Sequence, residues 1–218
     1  YVTIEASKPG ESDPAREHVR IVNSSGNPDA VNLAGWSVQD AVSGARHHLS
    51  GAAEFFISGV VNELGAAILA PGGSAIVVSG FSPVGTSFRE NVCSGYLGTL
   101  QRFYPNLSTH SCPFPSDAFP ETAENLRAYG ASCLDYVREL SSCQFPQDVP
   151  STLSPACQSF VANTFTYNGC VRMYRDRPSF LRGSWRIYLN SQFELWDDTH
   201  GVIRLLDDQG RIVDALTY

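Results

Sequence analysis

Six cysteines, Cys93, Cys112, Cys133, Cys143, Cys157 and Cys170, are the side chains with most chemistry to offer, and all lie between residues 93 and 170. None are spaced as Cys-x-x-Cys, which argues against a zinc ribbon or a thioredoxin-like redox pair. Buried free thiols and a metal are the alternatives, but an even number of cysteines confined to one stretch reads as a disulfide framework formed in an oxidising compartment. The spacing does not choose among the possible pairings. A nucleophilic cysteine would need to be unpaired beside a base, and pairing is the simpler account.

Other candidates are weaker. His47 and His48 are adjacent, so on a strand they point to opposite faces and cannot easily share one ion. The stretch WDDTHG, Asp197 to Gly201, clusters two carboxylates with His200, and Asp207-Asp208 could lie near. Asp and Gly at those positions equally build a polar turn, and no calcium-loop spacing supports a cation site. No Ser-His-Asp or Cys-His arrangement can be argued. GSAIVVSG lacks a nucleophile elbow, and no glycine-rich phosphate loop joins a strand to a helix. The residues imply no catalytic group, no metal and no cofactor. Asn23-Ser24-Ser25 and Asn106-Leu107-Ser108 are N-glycosylation sequons. One cluster suits a contact surface: Arg172, Arg175, Arg177, Arg182 and Arg186, with Tyr174, Phe180 and Trp185 between them. Arginine and aromatic residues together anchor many interfaces. Local ion pairs, with Asp176 and with the acidic flanks, are the competing explanation.

These residues need elements to hold them. The chain has 218 residues and a net charge of −7, and a chain of this size buries roughly 70% of its unfolded surface without needing cross-links for a core. No run of 18 apolar residues is present, so no membrane-spanning helix or signal-peptide segment is expected. The start at Tyr1 suits removal of a leader or a segment of a longer protein. Residues 81–184 balance eight arginines against eight acids, whereas the flanks carry seven bases and fourteen acids. Acidic flanks argue against nucleic-acid binding, which needs clustered bases.

The flanks read as β. YVTIEA alternates. EHVRIVNSSG places Val19 and Ile21 on one face and His18 and Arg20 on the other. VNLAGWSVQD, GSAIVV and WRIYLN follow as strands, and VIRLLDDQGRIVDALTY reads as a hairpin around Asp207–Gly210. AEFFISGVV with GAAILA fits a hairpin or a strand plus a loop. The middle reads as helix. Cys93, Leu97, Leu100 and Tyr104 are spaced by three or four. Pro120–Leu140 carries one stripe through Ala123, Leu126, Tyr129, Cys133, Val137 and Leu140. Ser154-Pro155 is an N-cap and first helical position ahead of Cys157, Phe160, Val161 and Phe165. The expected organisation is a β domain over 1–80 and 185–218, with a helical cysteine-rich insertion over 81–184.

LAGWSVQD, LAPGGSAIVV and the C-terminal hairpin, in that order, resemble the lamin-tail domain. Leu33, Gly35, Trp36, Asp40, Pro71, Gly72, Asp207, Gly210, Val213, Asp214 and Tyr218 stand at the family's recurring positions. The resemblance implies a mainly β, immunoglobulin-like β-sandwich, here with an inserted helical, disulfide-linked subdomain, and Trp36 as a core residue between sheets. TYNGCV, the spaced cysteines and the WRIYLN re-entry resemble the bacterial exported type of lamin-tail protein. No basic nuclear-localisation run or heptad rod accompanies it, so nuclear functions do not transfer. The expectation is a non-enzymatic extracellular or cell-surface module, structural or adhesive. Its partners would be proteins, copies of itself or an acidic surface polymer, without nucleic acid and without direct membrane insertion. The alternative is a targeting domain attached to an exported hydrolase or nuclease.

Overall fold

The computed structural model describes residues 1–218. Its strands are β1 (Val2–Lys8), β2 (His18–Asn23), β3 (Val31–Asn32), β4 (Ser37–Asp40), β5 (Arg46–His48), β6 (Ala52–Ala53), β7 (Ile68–Leu69), β8 (Ser74–Val78), β9 (Ser87–Asn91), β10 (Leu181–Tyr188), β11 (Val202–Leu206) and β12 (Ile212–Thr217). Its helices are α1 (Gly95–Leu100), α2 (Pro115–Ala118), α3 (Ala123–Tyr129), α4 (Ala131–Glu139), α5 (Pro155–Thr164) and α6 (Tyr167–Tyr174). The chain divides into two compact units, Tyr1–Glu90 with Arg182–Tyr218, and Asn91–Leu181. The boundaries therefore fall later and earlier than 81 and 184. Residues 81–90 belong to the first unit because β9 is a strand of its sheet.

The first unit is a mixed-sheet fold. One sheet has the order β1-β2-β8-β10-β9-β6, a second the order β12-β11-β4-β5, and β3 pairs with β7. Period-two alternation sets the register. Ile4 lies opposite Ile21, Ile21 opposite Ala75, and Ala75 opposite Trp185. The next inward row is Val19, Val77 and Ile187. On the second sheet Val38 lies opposite Leu205. All of these share one core with Ile203 and Trp36. Burying each large apolar side chain contributes about 1.5–3 kcal/mol, so a one-residue slip that turned a row outward would be costly. Strands β8 and β10 run parallel. The Tyr188 amide donates to Ser87 Oγ and Ser184 Oγ donates to Glu90, so the chain leaves along β9 and returns beside it along β10.

The Leu33–Trp36 turn answers to its glycine. The Trp36 amide donates to the Leu33 carbonyl, and Gly35 between them has φ +77°, which a side chain would strain. Trp36 then enters the core, 9% exposed, as expected of it.

The second unit is helical. Its core joins Phe119, Cys133, Leu134, Val137, Leu153, Cys157, Val161 and Phe165. The single helix expected over Pro120–Leu140 is two, α3 and α4. They part at Gly130, whose φ of 88° leaves the helical region. The apolar stripe continues through that break, which is why periodicity did not reveal it. Thr122 caps α3 by accepting the Asn125 amide, and Ser154 caps α5 by accepting the Cys157 amide, the latter as its sequence implied. Helix α6 went unread from periodicity. It is capped by Thr166 accepting the Gly169 amide. No helix exceeds 10 residues, too short to persist alone in water.

Candidate interaction surfaces

The six cysteines form three disulfides, Cys93–Cys170, Cys112–Cys143 and Cys133–Cys157, with none left free. Cys133 and Cys157 tie α4 to α5, and Cys170 ties α6 to the segment entering α1. All six sulfurs sit in buried residues. Three disulfides suit an oxidising, non-cytoplasmic environment, and no helix is long and apolar enough to cross a membrane.

The arginine cluster divides between the two units. Arg172, Arg175 and Arg177 belong to the helical unit, Arg182 and Arg186 to the β unit. Arg172 donates to the Asn163 carbonyl at 2.9 Å, satisfying an orphan carbonyl near the end of α5. Arg175 lies 3.9 Å from Asp176, an exposed and weak pair. Arg177 stacks over Tyr174, 4.3 Å from the ring centroid. Arg182 is exposed. Arg186 is no surface residue. It is 4% exposed, and its Nε meets Glu90 Oε1 at 2.5 Å. The interleaved aromatics are buried too, with Tyr174, Phe180 and Trp185 at 4% exposure or less. Core packing claims those rings before any partner could.

The carboxylates are engaged in turns. Asp197 Oδ1 accepts from the Thr199 amide at 2.9 Å and the Thr199 hydroxyl at 2.6 Å. Those bonds, the Thr199 hydroxyl first, hold its pKa down at about 2. Asp207 Oδ1 accepts the Gln209 and Arg211 amides, and Oδ2 accepts Arg211 Nε at 2.7 Å, which closes the β11–β12 hairpin. Asp40, Asp197, His200 and Tyr218 line an open cleft of about 430 Å³. The Tyr218 hydroxyl donates to the Asp197 carbonyl, and burial pushes its pKa up to about 12, helped by the charges of Glu17, Asp197 and Asp40. Asp40 in turn accepts the Ser43 amide and hydroxyl. No group of three or more histidine, cysteine or acidic side chains comes together as a metal site. His47 and His48 sit on strand β5, His47 half-buried and its pKa lowered by burial, His48 exposed.

The sequons differ. Asn23 is fully buried, and its side chain donates to the Asp29 and Leu69 carbonyls, so it is a structural residue. Asn106 is exposed on a loop.

Two features escaped the sequence reading. Glu17 is fully buried and accepts the Leu195 and Trp196 amides at 2.8 and 3.0 Å, seating Trp196 in the core. Burial pushes its pKa up. The second is the segment between β6 and β7. Phe55, Val60, Val61 and Leu64 are 47, 58, 101 and 54% exposed, and Ile68 at the start of β7 is 50% exposed. Its apolar residues were legible, but lacked the alternation that would have said which face they take. In the helical unit an open groove of about 670 Å³ runs between Thr99, His110, Phe114, Leu140 and Gln144.

Comparison with known proteins returns no matching family model, no matching curated protein and no matching solved structure.

Proposed function

We propose that the protein is a non-enzymatic extracellular or cell-surface module, structural or adhesive, built on a lamin-tail-like, immunoglobulin-like β-sandwich with a helical insertion. Its partners are proteins or copies of itself. One observation carries the reading: the side chains with chemistry to offer are already engaged in structure. The cysteines are all in disulfides. Asp197 and Asp207 hold turns, Arg172 satisfies a helix end, and Arg186 is buried against Glu90. What the surface still offers a partner is exposed apolar side chain, at Val42, Val61, Phe114 and Phe193 among others. Exposed apolar patches mark association sites. Supporting the fold assignment, two sheets share one core, and the Gly35-Trp36, Pro71-Gly72 and Asp207–Gly210 segments stand at the starts of β4 and β8 and in the last hairpin.

Sedimentation velocity over a wide concentration range tests the subunit form of this reading. Concentration-dependent association is the expected result. A protein that remains strictly monomeric at its solubility limit would count against it.

A further inference from the structure

The three disulfides sit in different settings. Cys133 on α4 and Cys157 on α5 are fully buried inside the apolar core of the helical unit. Cys170 lies on α6, and its partner Cys93 is fully buried at the entry to α1. Cys112 and Cys143 both lie outside helices, Cys143 in a turn. Cys112 is 6% exposed, the most of the six. Cys143 has a φ of 60°, in the left-handed region, where a residue carrying a Cβ is strained. Such strain persists only while the surroundings enforce it, and a bond whose opening relieves it is more readily reduced.

Thiol–disulfide exchange is faster when one sulfur can be reached and the other leaves as a stabilised thiolate. Cys143 is placed as the leaving sulfur. The Cys112 amide donates to Cys143 Sγ at 3.2 Å, and a hydrogen bond of this kind favours the anion over the neutral sulfur. Once protonated, Cys143 has the Ser108 carbonyl 4.0 Å away as an acceptor. Its sulfur is closed off on another side by α1: a Cβ added at Gly95 would lie 2.1 Å from it. Attack therefore falls on Cys112. The open groove of about 670 Å³ borders both bonded segments. Ser142 and Gln144, on either side of Cys143, line it, as do His110 and Phe114, two residues to either side of Cys112.

We propose that Cys112–Cys143 is a thiol–disulfide exchange site, opened from this groove by a dithiol reductant while the other two disulfides persist. A thiolate of the reductant attacks Cys112 Sγ. A new S–S bond forms there as the Cys112–Cys143 bond breaks, and the electron pair leaves on Cys143 Sγ, held by the Cys112 amide. The second thiol of the reductant then attacks the reductant's sulfur in the mixed disulfide and releases Cys112. Two electrons and two protons pass to the protein, and the reductant leaves oxidised, as an intramolecular disulfide. Opening unties two segments 31 residues apart in sequence, so the groove they border becomes a redox-sensitive surface. The core around Cys133–Cys157 keeps its own cross-link.

Timed exposure of the native protein to dithiothreitol, quenched by alkylation and read by peptide mapping, tests this. Cys112 and Cys143 are expected to label roughly tenfold or more faster than the other four cysteines. A different pair opening first, or all three opening together at the rate of global unfolding, would overturn the site. Glutathione, a monothiol, should be trapped as a mixed disulfide on Cys112; an adduct on Cys143 instead overturns the assignment of the leaving sulfur. The double variant Cys112→Ser/Cys143→Ser separates a switch from a staple. It is expected to melt cooperatively, with Cys93–Cys170 and Cys133–Cys157 as resistant to dithiothreitol as in the parent. A double variant that does not fold, or whose remaining bonds open with it, shows a structural cross-link and overturns the switch.

Discussion

The carboxylate of Asp214 accepts a hydrogen bond from the backbone amide of Ile4 at 2.9 Å, across 210 residues of sequence. Asp214 lies on β12, the edge strand of one sheet, and Ile4 on β1, the edge strand of the other. The bond occupies an amide that faces no neighbouring strand, and it joins the two sheet edges at one corner of their common core. Exposed edge amides are templates for unwanted strand pairing, and an inward-directed charge guards against this.

Replacing Asp214 with Ala should leave the Ile4 amide without a partner inside a residue only 5% exposed. The expected loss is about 1–3 kcal/mol, the cost of an unsatisfied buried donor. Denaturant unfolding measures the loss. Faster hydrogen exchange at Ile4 than at Val19 would localise it.

Arg186 and Glu90 form a pair in which the arginine is 4% and the glutamate 19% exposed. Glu90→Ala is expected to cost about 3–5 kcal/mol, because it strands a buried guanidinium. Glu90→Gln should cost less, since it keeps an acceptor. The double variant Glu90→Leu/Arg186→Met should be much closer to the parent than the two single losses together. Additive losses in a double-mutant cycle would mean that the two side chains act independently.

Alkylation in denaturant should label no cysteine before reduction and all six after it. A non-reducing peptide map should return Cys93–Cys170, Cys112–Cys143 and Cys133–Cys157. The first closes the longest loop, 77 residues apart in sequence. The other two bonds lie inside that loop and shorten its free length. Replacing Cys93 and Cys170 by Ala is therefore expected to cost about 3–4 kcal/mol, slightly under the value for an unbranched loop. Any other pairing in the map would contradict the arrangement of α4, α5 and α6.

Asp197 gives a pH prediction with a definite sign. Its folded pKa, about 2, is below the ordinary carboxylate value. A depressed acid stabilises its turn above the unfolded pKa and loses that contribution as pH falls through the folded one. The Thr199 amide resonance should therefore titrate with a midpoint near 2, and Asp197→Asn should remove the transition. Glu17 has the opposite sign. Its pKa is raised by burial, so its contribution is fullest below the ordinary glutamate pKa and declines as pH rises through the folded value. Glu17→Gln should therefore flatten the fall in stability on the neutral side.

The strands that alternate cleanly were legible because period-two burial is written in local residue order. Val19 and Ile21 in β2, the row through Trp185 and Ile187, and the β11–β12 hairpin all follow from it. The N-cap at Ser154 was legible for the same reason: a cap acts within one turn of helix. The existence of a disulfide framework was legible from the count and confinement of the cysteines. Their pairing was not, because it depends on which helices meet, and the break at Gly130 decides that for α3, α4 and α5. Tertiary structure alone also decided the fate of the candidate site residues. Arginines 172 to 186 are close in sequence, yet burial in the sheet takes Arg186 from the surface while Arg172 is turned onto a helix end. Glu17 and the Asp214–Ile4 bond arise from pairings distant in sequence. Neither leaves a period in the sequence to read.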